Sequence, residues 1–372
     1  MQRASATQQP AGRRRLILIA AAVVIFLLVL ARLGVFGGGS KPLSAAHLRC
    51  VSTQNVTPFG NNILYYDNMT LYCLAANGNE RWSYAVGSNA SFSCSDTMIA
   101  AWTGTQLHLI DRNGHSTYNE NLSDVIQFAR VGSKYVAVVL GGDISPSLVI
   151  KDMQGTSVDN ETNAYKDMIL LDLGFFSDGD YLWTTALDVY GSVPDTSLNT
   201  FRVNLSGAYG ISLGQNLVYA VVYAGQKLNI VSTRQLRQYN NQGKQESTGS
   251  VLVYGWQLID SRAAGNDAML LFTPSRQTDE YGRITQLRLL YGKTDKRYSL
   301  PSPCVGAALY GNRIYAFSAD MIYRANISDR RFTPISLPGE LSSAPVTDFL
   351  GMLSNGTALL ASENDVYAVA LP

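Results

Sequence analysis

The sequence predicts an all-β fold: a single β-propeller of four-stranded blades behind one N-terminal transmembrane helix. Three observations carry this expectation. A short strand-and-turn unit recurs about every 42 residues across the last three hundred or so residues. Turn signals rich in Gly, Asn, Asp and Ser arrive about every 8–12 residues, the spacing of all-β folds. Nothing after Phe36 keeps an amphipathic helical period over three turns. The composition agrees, with 32 Gly and 21 Tyr among 372 residues and 46% hydrophobic residues to build a core. Net charge is +1, which provides neither a basic face for nucleic acid nor an acidic tail.

The N-terminus reads as an address. Residues 1–15 are polar and end in Arg13-Arg14-Arg15, and Leu16 to Ala31 is then apolar without a break. With Arg32 snorkelling near the far end, Leu33-Gly34-Val35-Phe36 brings the stretch to 21 residues, residues 16–36. About 20 residues cross a hydrocarbon core of ~30 Å. The run is longer than the apolar region of a cleaved signal peptide, and the nearest small-residue cleavage site, Ser44-Ala45-Ala46, lies well beyond it. A signal anchor is therefore expected, single-pass in the cell membrane. The positive-inside rule keeps residues 1–15 cytoplasmic and places the C-terminal domain outside. Residues 37–43, beginning Gly37-Gly38-Gly39-Ser40, read as a flexible linker, and residues 44–372 as the extracytoplasmic propeller.

The repeat is explicit in four copies. Leu71 to Gly78, Leu107 to Gly114, Leu148 to Gly155 and Leu236 to Gly243 each place Gly seven positions after a leading Leu. Weaker copies start at Phe201, Leu287, Ile322 and Val366. Each is preceded by another strand, such as Ile63-Leu64-Tyr65-Tyr66 or Tyr135-Val136-Ala137-Val138-Val139, and the first is followed by Arg81 to Val86. The last copy ends at Pro372, directly after its third strand, while His47-Leu48-Arg49-Cys50-Val51 stands unassigned at the other end. If that stretch supplies the missing outer strand, the ring closes by pairing first and last segments, and eight blades follow, with seven the alternative.

The first copy, Leu71-Tyr72-Cys73-Leu74-Ala75-Ala76-Asn77-Gly78-Asn79-Glu80-Arg81-Trp82, resembles the repeat of pyrroloquinoline-quinone-type propellers. There a Leu-Tyr pair, a turn glycine and a tryptophan follow one another. Trp82 has no counterpart in the later copies. The broader likeness is to non-enzymatic members such as the propeller lipoprotein of outer-membrane assembly. The layout is similar to single-anchor propeller proteins of Gram-positive Clostridia. The resemblance implies no cofactor. The quinone enzymes of this fold are longer and use adjacent cysteines, whereas Cys50, Cys73, Cys94 and Cys304 are all separate.

No catalytic constellation is recognisable. The three imidazoles, His47, His108 and His115, are assigned respectively to the closing stretch, a strand and a turn. There is no G-x-S-x-G elbow, H-E-x-x-H pair or P-loop. Asp178-Gly179-Asp180 reads as a hairpin turn rather than a calcium loop. The cysteines lack C-x-x-C spacing, so no metal site is expected. Their even number permits two disulfides, with Cys50, Cys73 and Cys94 near the proposed closure, and buried thiols in strands are the alternative. Eight N-x-S/T sequons keep a glycosylated, eukaryotic origin open.

Three hairpins between second and third strands are enlarged: residues 141–146, 188–195 and 274–283. Long loops on a rigid scaffold carry function. The partner-binding candidates are therefore Asp143, Tyr190, Asp195, Asp279, Glu280, Tyr281 and Arg283, of which Tyr and Arg are hot-spot types. The function expected is a membrane-anchored, non-enzymatic platform for a protein partner of the cell envelope. The alternative is a cell-surface ligand or glycan receptor, even a hydrolytic one, using the propeller funnel; a cluster of Asp, Glu and Trp at the channel mouth would mark it.

Overall fold

Apolar runs of five to eight residues, too short for helices and rich in Val, Ile, Leu and Ala, fold here as strands buried on both sides. Between them, alternating runs form half-exposed strands, and Asn-Gly or Asp-x-x-Gly turns join the two kinds. The computed structural model describes residues 43–161, 164–205, 208–225, 227–246, 250–276, 282–341 and 344–372. Segment 1–15, the anchor 16–36 and the linker up to Pro42 lie outside the described residues. Among the described residues no helix is long and apolar enough to cross a membrane.

Strand β1 (Ala45–Val51) is followed by β2 (Thr57–Phe59), β3 (Asn62–Tyr66), β4 (Thr70–Ala75) and β5 (Glu80–Ala85). Next come β6 (Ser91–Cys94), β7 (Met98–Thr103), β8 (Gln106–Asp111) and β9 (Ser116–Asn121), then β10 (Ile126–Val131), β11 (Tyr135–Leu140), β12 (Ser147–Asp152) and β13 (Ser157–Glu161). The middle of the chain gives β14 (Met168–Phe175), β15 (Tyr181–Asp188), β16 (Asp195–Arg202), β17 (Ala208–Ser212), β18 (Val218–Ala224), β19 (Lys227–Ser232), β20 (Gln235–Asn240) and β21 (Val251–Leu252). The last third gives β22 (Trp256–Ala264), β23 (Asp267–Pro274), β24 (Ile284–Tyr291), β25 (Thr294–Tyr310), β26 (Arg313–Ser318), β27 (Met321–Asn326), β28 (Thr333–Ser336), β29 (Asp348–Met352), β30 (Thr357–Ser362) and β31 (Asp365–Ala370).

These strands pair antiparallel, in sequence order, into four-stranded sheets β2–β5, β6–β9, β10–β13, β14–β17 and β18–β21. A seven-stranded sheet runs from β22 to β28. Its strand β25 serves twice: Thr294 to Ser299 pair with β24, Gly306 to Tyr310 pair with β26, and Cys304 between them faces Ile284 of β24 and Ser318 of β26. The interval between, Leu300-Pro301-Ser302-Pro303, holds two prolines that cannot donate to a ladder. The last sheet has the order β1-β31-β30-β29. His47 faces Tyr367 and Val51 faces Asp365 across it, so the unassigned N-terminal stretch is indeed the outer strand of the last sheet.

The second strand of each group is the most buried: Val136 to Leu140 of β11 and all six residues of β30 are inaccessible or nearly so. The fourth is half-wet, as β5 and β9 show by alternation. Eight hydrophobic clusters sit between successive four-strand groups; one joins β3 and β4 to β7 and β8, and another joins β1, β3 and β4 back to β30 and β31. The series thus returns to its start.

The repeat glycines have a physical job. Gly78, Gly114, Gly155 and Gly243 all adopt positive φ in the turn after a third strand, where an L side chain is strained. A Cβ on Gly114 would also lie 2.6 Å from the Trp82 ring of the preceding sheet, and that indole Nε1 donates to the Arg112 carbonyl at 3.0 Å. One sheet further on, Tyr118 lies on Gly155 in the same way. The expectation that Trp82 stands alone is corrected: Tyr118 faces Leu109 as Trp82 faces Cys73, so another aromatic ring fills its place. The copy assigned to Phe201 is also out of register. Its strand β16 begins at Asp195 and is eight residues long, which puts Phe201 one residue before its end.

The four cysteines are free thiols. Cys50, Cys73 and Cys304 are buried in strands, and burial pushes their pKa values up to about 11, 12 and 12. The proposed disulfide staple is not formed. Cys50 packs with β30 and β31 side chains, whereas Cys73 and Cys94 belong to the cluster on the other side of their sheet.

Candidate functional site

Strand direction alternates, so each four-strand group has two ends. Loops between second and third strands leave at the same end as the connections from one group to the next; the other turns leave at the opposite end. The first set of loops forms what we call the rim.

Twelve large apolar side chains are exposed among the described residues. Ten lie on the rim: Met69, Val125, Ile144, Val189, Tyr190, Val193, Leu217, Tyr219, Leu252 and Tyr254. Only Leu205 and Tyr209 lie at the opposite end. The exposure is substantial, at 65% for Tyr190, 69% for Leu252 and 74% for Tyr254. Single exposed apolar residues are ordinary, but ten of the twelve at one end of the strands are a concentration.

Hydrogen bonds within and between sheets brace this rim. Gly141 N donates to the Val125 carbonyl at 3.0 Å, and Ser145 N donates to the Met168 carbonyl at 3.0 Å. Asp167 N donates to Ser145 Oγ at 2.8 Å, which helps hold Ser145 at its left-handed φ of 58° and leaves Ile144 outside. Met168 pairs with Asp188, whose Oδ1 accepts Tyr190 N at 2.9 Å. Ser212 Oγ donates to Asp195 Oδ1 at 2.9 Å, and Leu213 N to the Thr196 carbonyl at 2.7 Å. Thr233 N then bonds the Leu217 carbonyl, Val253 N the Arg234 carbonyl, and Ser275 N the Gly255 carbonyl. Tyr219 Oη accepts Leu258 N at 3.1 Å, fixing its ring across two sheets. These are side chains on a braced edge.

Of the residues singled out from sequence, the structure brings Asp143, Tyr190 and Asp195 onto this rim, with Asp143 and Tyr190 exposed and Asp195 half-buried. Arg283 is half-buried just before β24. Asp279, Glu280 and Tyr281 lie outside the described residues. Sequence reasoning missed Val125, Leu217, Leu252 and Tyr254, because it looked for long loops and these stand in short connections or at strand ends. The available signal was an apolar residue in a connecting turn, as in Val253-Tyr254-Gly255, where water would favour a polar one.

Elsewhere the groups singled out are structural. His108 is buried in β8, with Nδ1 3.1 Å from the Tyr84 hydroxyl, and burial lowers its pKa. Asp178-Gly179-Asp180 is a turn in which Asp178 Oδ1 accepts Asp180 N at 2.9 Å, while Asp180 pairs with Lys134 and Arg202. A cavity of about 550 Å³ opens among β22, β25 and β29, lined by Asp260, Ser261, Arg262, Tyr310 and Phe349 among others. Among the described residues Asp260 is its only carboxylate. Burial holds Asp260 above the ordinary range, while hydrogen bonds from Leu309 N (2.6 Å) and Ser261 N (2.7 Å) pull the other way.

A model described as a family of unknown function, DUF5711, matches residues 44–331. The chain belongs to that family. No curated protein matches the sequence. Among solved structures, BamB from Moraxella catarrhalis, a pyrroloquinoline-quinone-like propeller, is similar at 12% identity over 88% of this chain and 96% of that one, with a TM-score of 0.54. A chain of the mitotic checkpoint complex is similar at 11% identity over 91% and 97%, with a TM-score of 0.51. At such identities the likeness concerns fold alone, and the fold is the β-propeller.

Proposed function

We propose that this DUF5711 protein is a membrane-anchored, extracytoplasmic β-propeller of eight blades that acts as a non-enzymatic protein-interaction platform in the cell envelope. The observation that carries the reading is the concentration of exposed apolar side chains on one braced rim. Eight inter-group clusters and the double use of β25 support the blade count. The sequence of residues 16–36, apolar after three arginines, supports the anchor. The described chain enters at Leu43 and leaves at Pro372 at the end opposite the rim, so neither terminus of that unit occupies the docking edge.

The receptor alternative draws on the cavity beside β22. A retaining or inverting glycosidase needs two carboxyl groups about 5–9.5 Å apart. The cavity lining offers Asp260 alone, with both its oxygens engaged by backbone N–H groups. The platform reading has the better support.

Two experiments test it. Protease added to intact cells should digest the propeller while an N-terminal tag stays protected; a digested tag refutes the anchor orientation. In-cell cross-linking of the full-length protein should capture a discrete protein species that is lost in a Tyr190→Ser, Leu252→Ser, Tyr254→Ser variant. Capture unaffected by those changes removes the rim from the account.

A further inference from the structure

The charge around the apolar rim specifies what would dock there. Between Asn121 and Gly255, the described loops and strand ends of the rim carry six carboxylates, Asp124, Asp143, Glu161, Asp167, Asp188 and Asp195, against two cations, Lys166 and Arg234. None of the six forms an ion pair among the described residues, whereas Asp180 and Asp267 at the opposite end are paired with lysines. Burial and, secondarily, the Asp159 charge hold Glu161 above its ordinary pKa. The apolar residues stand among these carboxylates rather than apart from them: Asp143 precedes Ile144, Asp124 precedes Val125, and Asp188 precedes Val189 and Tyr190.

Resting on the platform reading, we infer that the rim docks a polypeptide segment of its partner in which aliphatic or aromatic residues are flanked by Lys and Arg. Unpaired carboxylates beside an apolar patch steer a cationic partner and fix its register, while the apolar contact supplies the affinity. Tyr190 and Tyr254 offer ring faces to an arginine guanidinium. An anionic lipid surface would meet the same carboxylates and be repelled.

The test uses the full-length chain in detergent and three labelled short peptides followed by fluorescence anisotropy. One combines Lys and Arg with Leu and Trp, one replaces its cations by Glu, and one keeps the cations but replaces its apolar residues by Ser. Phosphatidylglycerol vesicles, offered to the chain in detergent-free phosphatidylcholine nanodiscs, form a fourth arm. Only the basic apolar peptide should bind, less tightly as salt rises, and roughly tenfold or more weakly in an Asp143→Lys, Asp167→Lys variant. Among the described residues no hydrogen bond engages either carboxylate, and circular dichroism should show that variant folded. Equal binding of the acidic or the Ser-containing peptide overturns the inference, as does wild-type binding to the vesicles that the same variant weakens. If no peptide binds while the apolar-rim variant still loses its cross-linked partner, the platform stands and this inference falls. If neither effect is seen, both fall.

Discussion

Asp260 and Asp295 sit three strands apart and respond to pH with opposite sign. Arg288 is buried, and its guanidinium donates to Asp295 from Nε at 2.9 Å and Nη2 at 2.7 Å, and to the Leu252 carbonyl from Nη1 at 2.8 Å. Asp295 is held below its usual range by that Arg288 hydrogen bond. A lowered carboxylate pKa means that the folded state releases its proton first. The stability it adds is present above the unfolded pKa of about 4 and is lost as pH falls through the lower, folded value. Asp295→Ala leaves a buried guanidinium with one partner fewer, and should cost about 1–3 kcal/mol in urea unfolding at pH 7. That cost should shrink below about pH 3.5. For Asp260, whose pKa is raised by burial, the folded state keeps its proton longer. Its contribution is full below the unfolded value and declines as pH rises through the folded one. The advantage of the wild type over Asp260→Asn should therefore be larger at about pH 3.5 than at pH 7. An advantage that grows with pH contradicts the assignment.

At the scale of elements, the aromatic-on-glycine contact is what repeats. Gly114→Ala introduces a side chain at a φ of +85° and drives a Cβ to 2.6 Å from the Trp82 ring, so two penalties combine to about 2–4 kcal/mol. Gly104→Ala, at a φ of +57° with nothing within 4 Å of the added atom, meets the backbone penalty alone, about 1–2 kcal/mol. Equal costs in denaturant titrations would show that the ring contact contributes nothing. The turn glycines were visible in the sequence because a left-handed turn leaves one residue type with little strain. The ring above them was visible only at Trp82, since Tyr118 does the same packing with a different side chain. The shift at Phe201 has a similar cause. Strands β15 and β16 are eight residues long, so more than one alternating register fits their apolar residues. Enlarged hairpins could be counted from the sequence. The apolar residues of short connections gave a fainter signal, their place in a turn, because burial there is decided by neighbours far along the chain.

For the whole molecule, closure and the proposed docking use different parts. Strand β1 pairs with β31 and contributes Leu48 and Cys50 to the cluster that joins the last sheet to β3 and β4. A chain starting at Ser52 leaves β31 as an open edge and uncovers that cluster. It should lose a single cooperative thermal transition and run as aggregates on size exclusion, while a chain starting at Leu43 should not. Both ends of the described unit lie away from the rim, where Arg313 Nη1 and Tyr315 Oη, each at 2.5 Å, donate to the Pro372 carbonyl. The proposed docking edge is the rim, and the opposite end provides a control in Tyr209, also exposed. The most direct measurement places a photo-crosslinking amino acid at Tyr190, at Tyr254 and at Tyr209 in the full-length protein in cells. One discrete protein adduct is expected from Tyr190 and Tyr254 and none from Tyr209. The same adduct from Tyr209 in equal yield, or no adduct from either rim position, would contradict it.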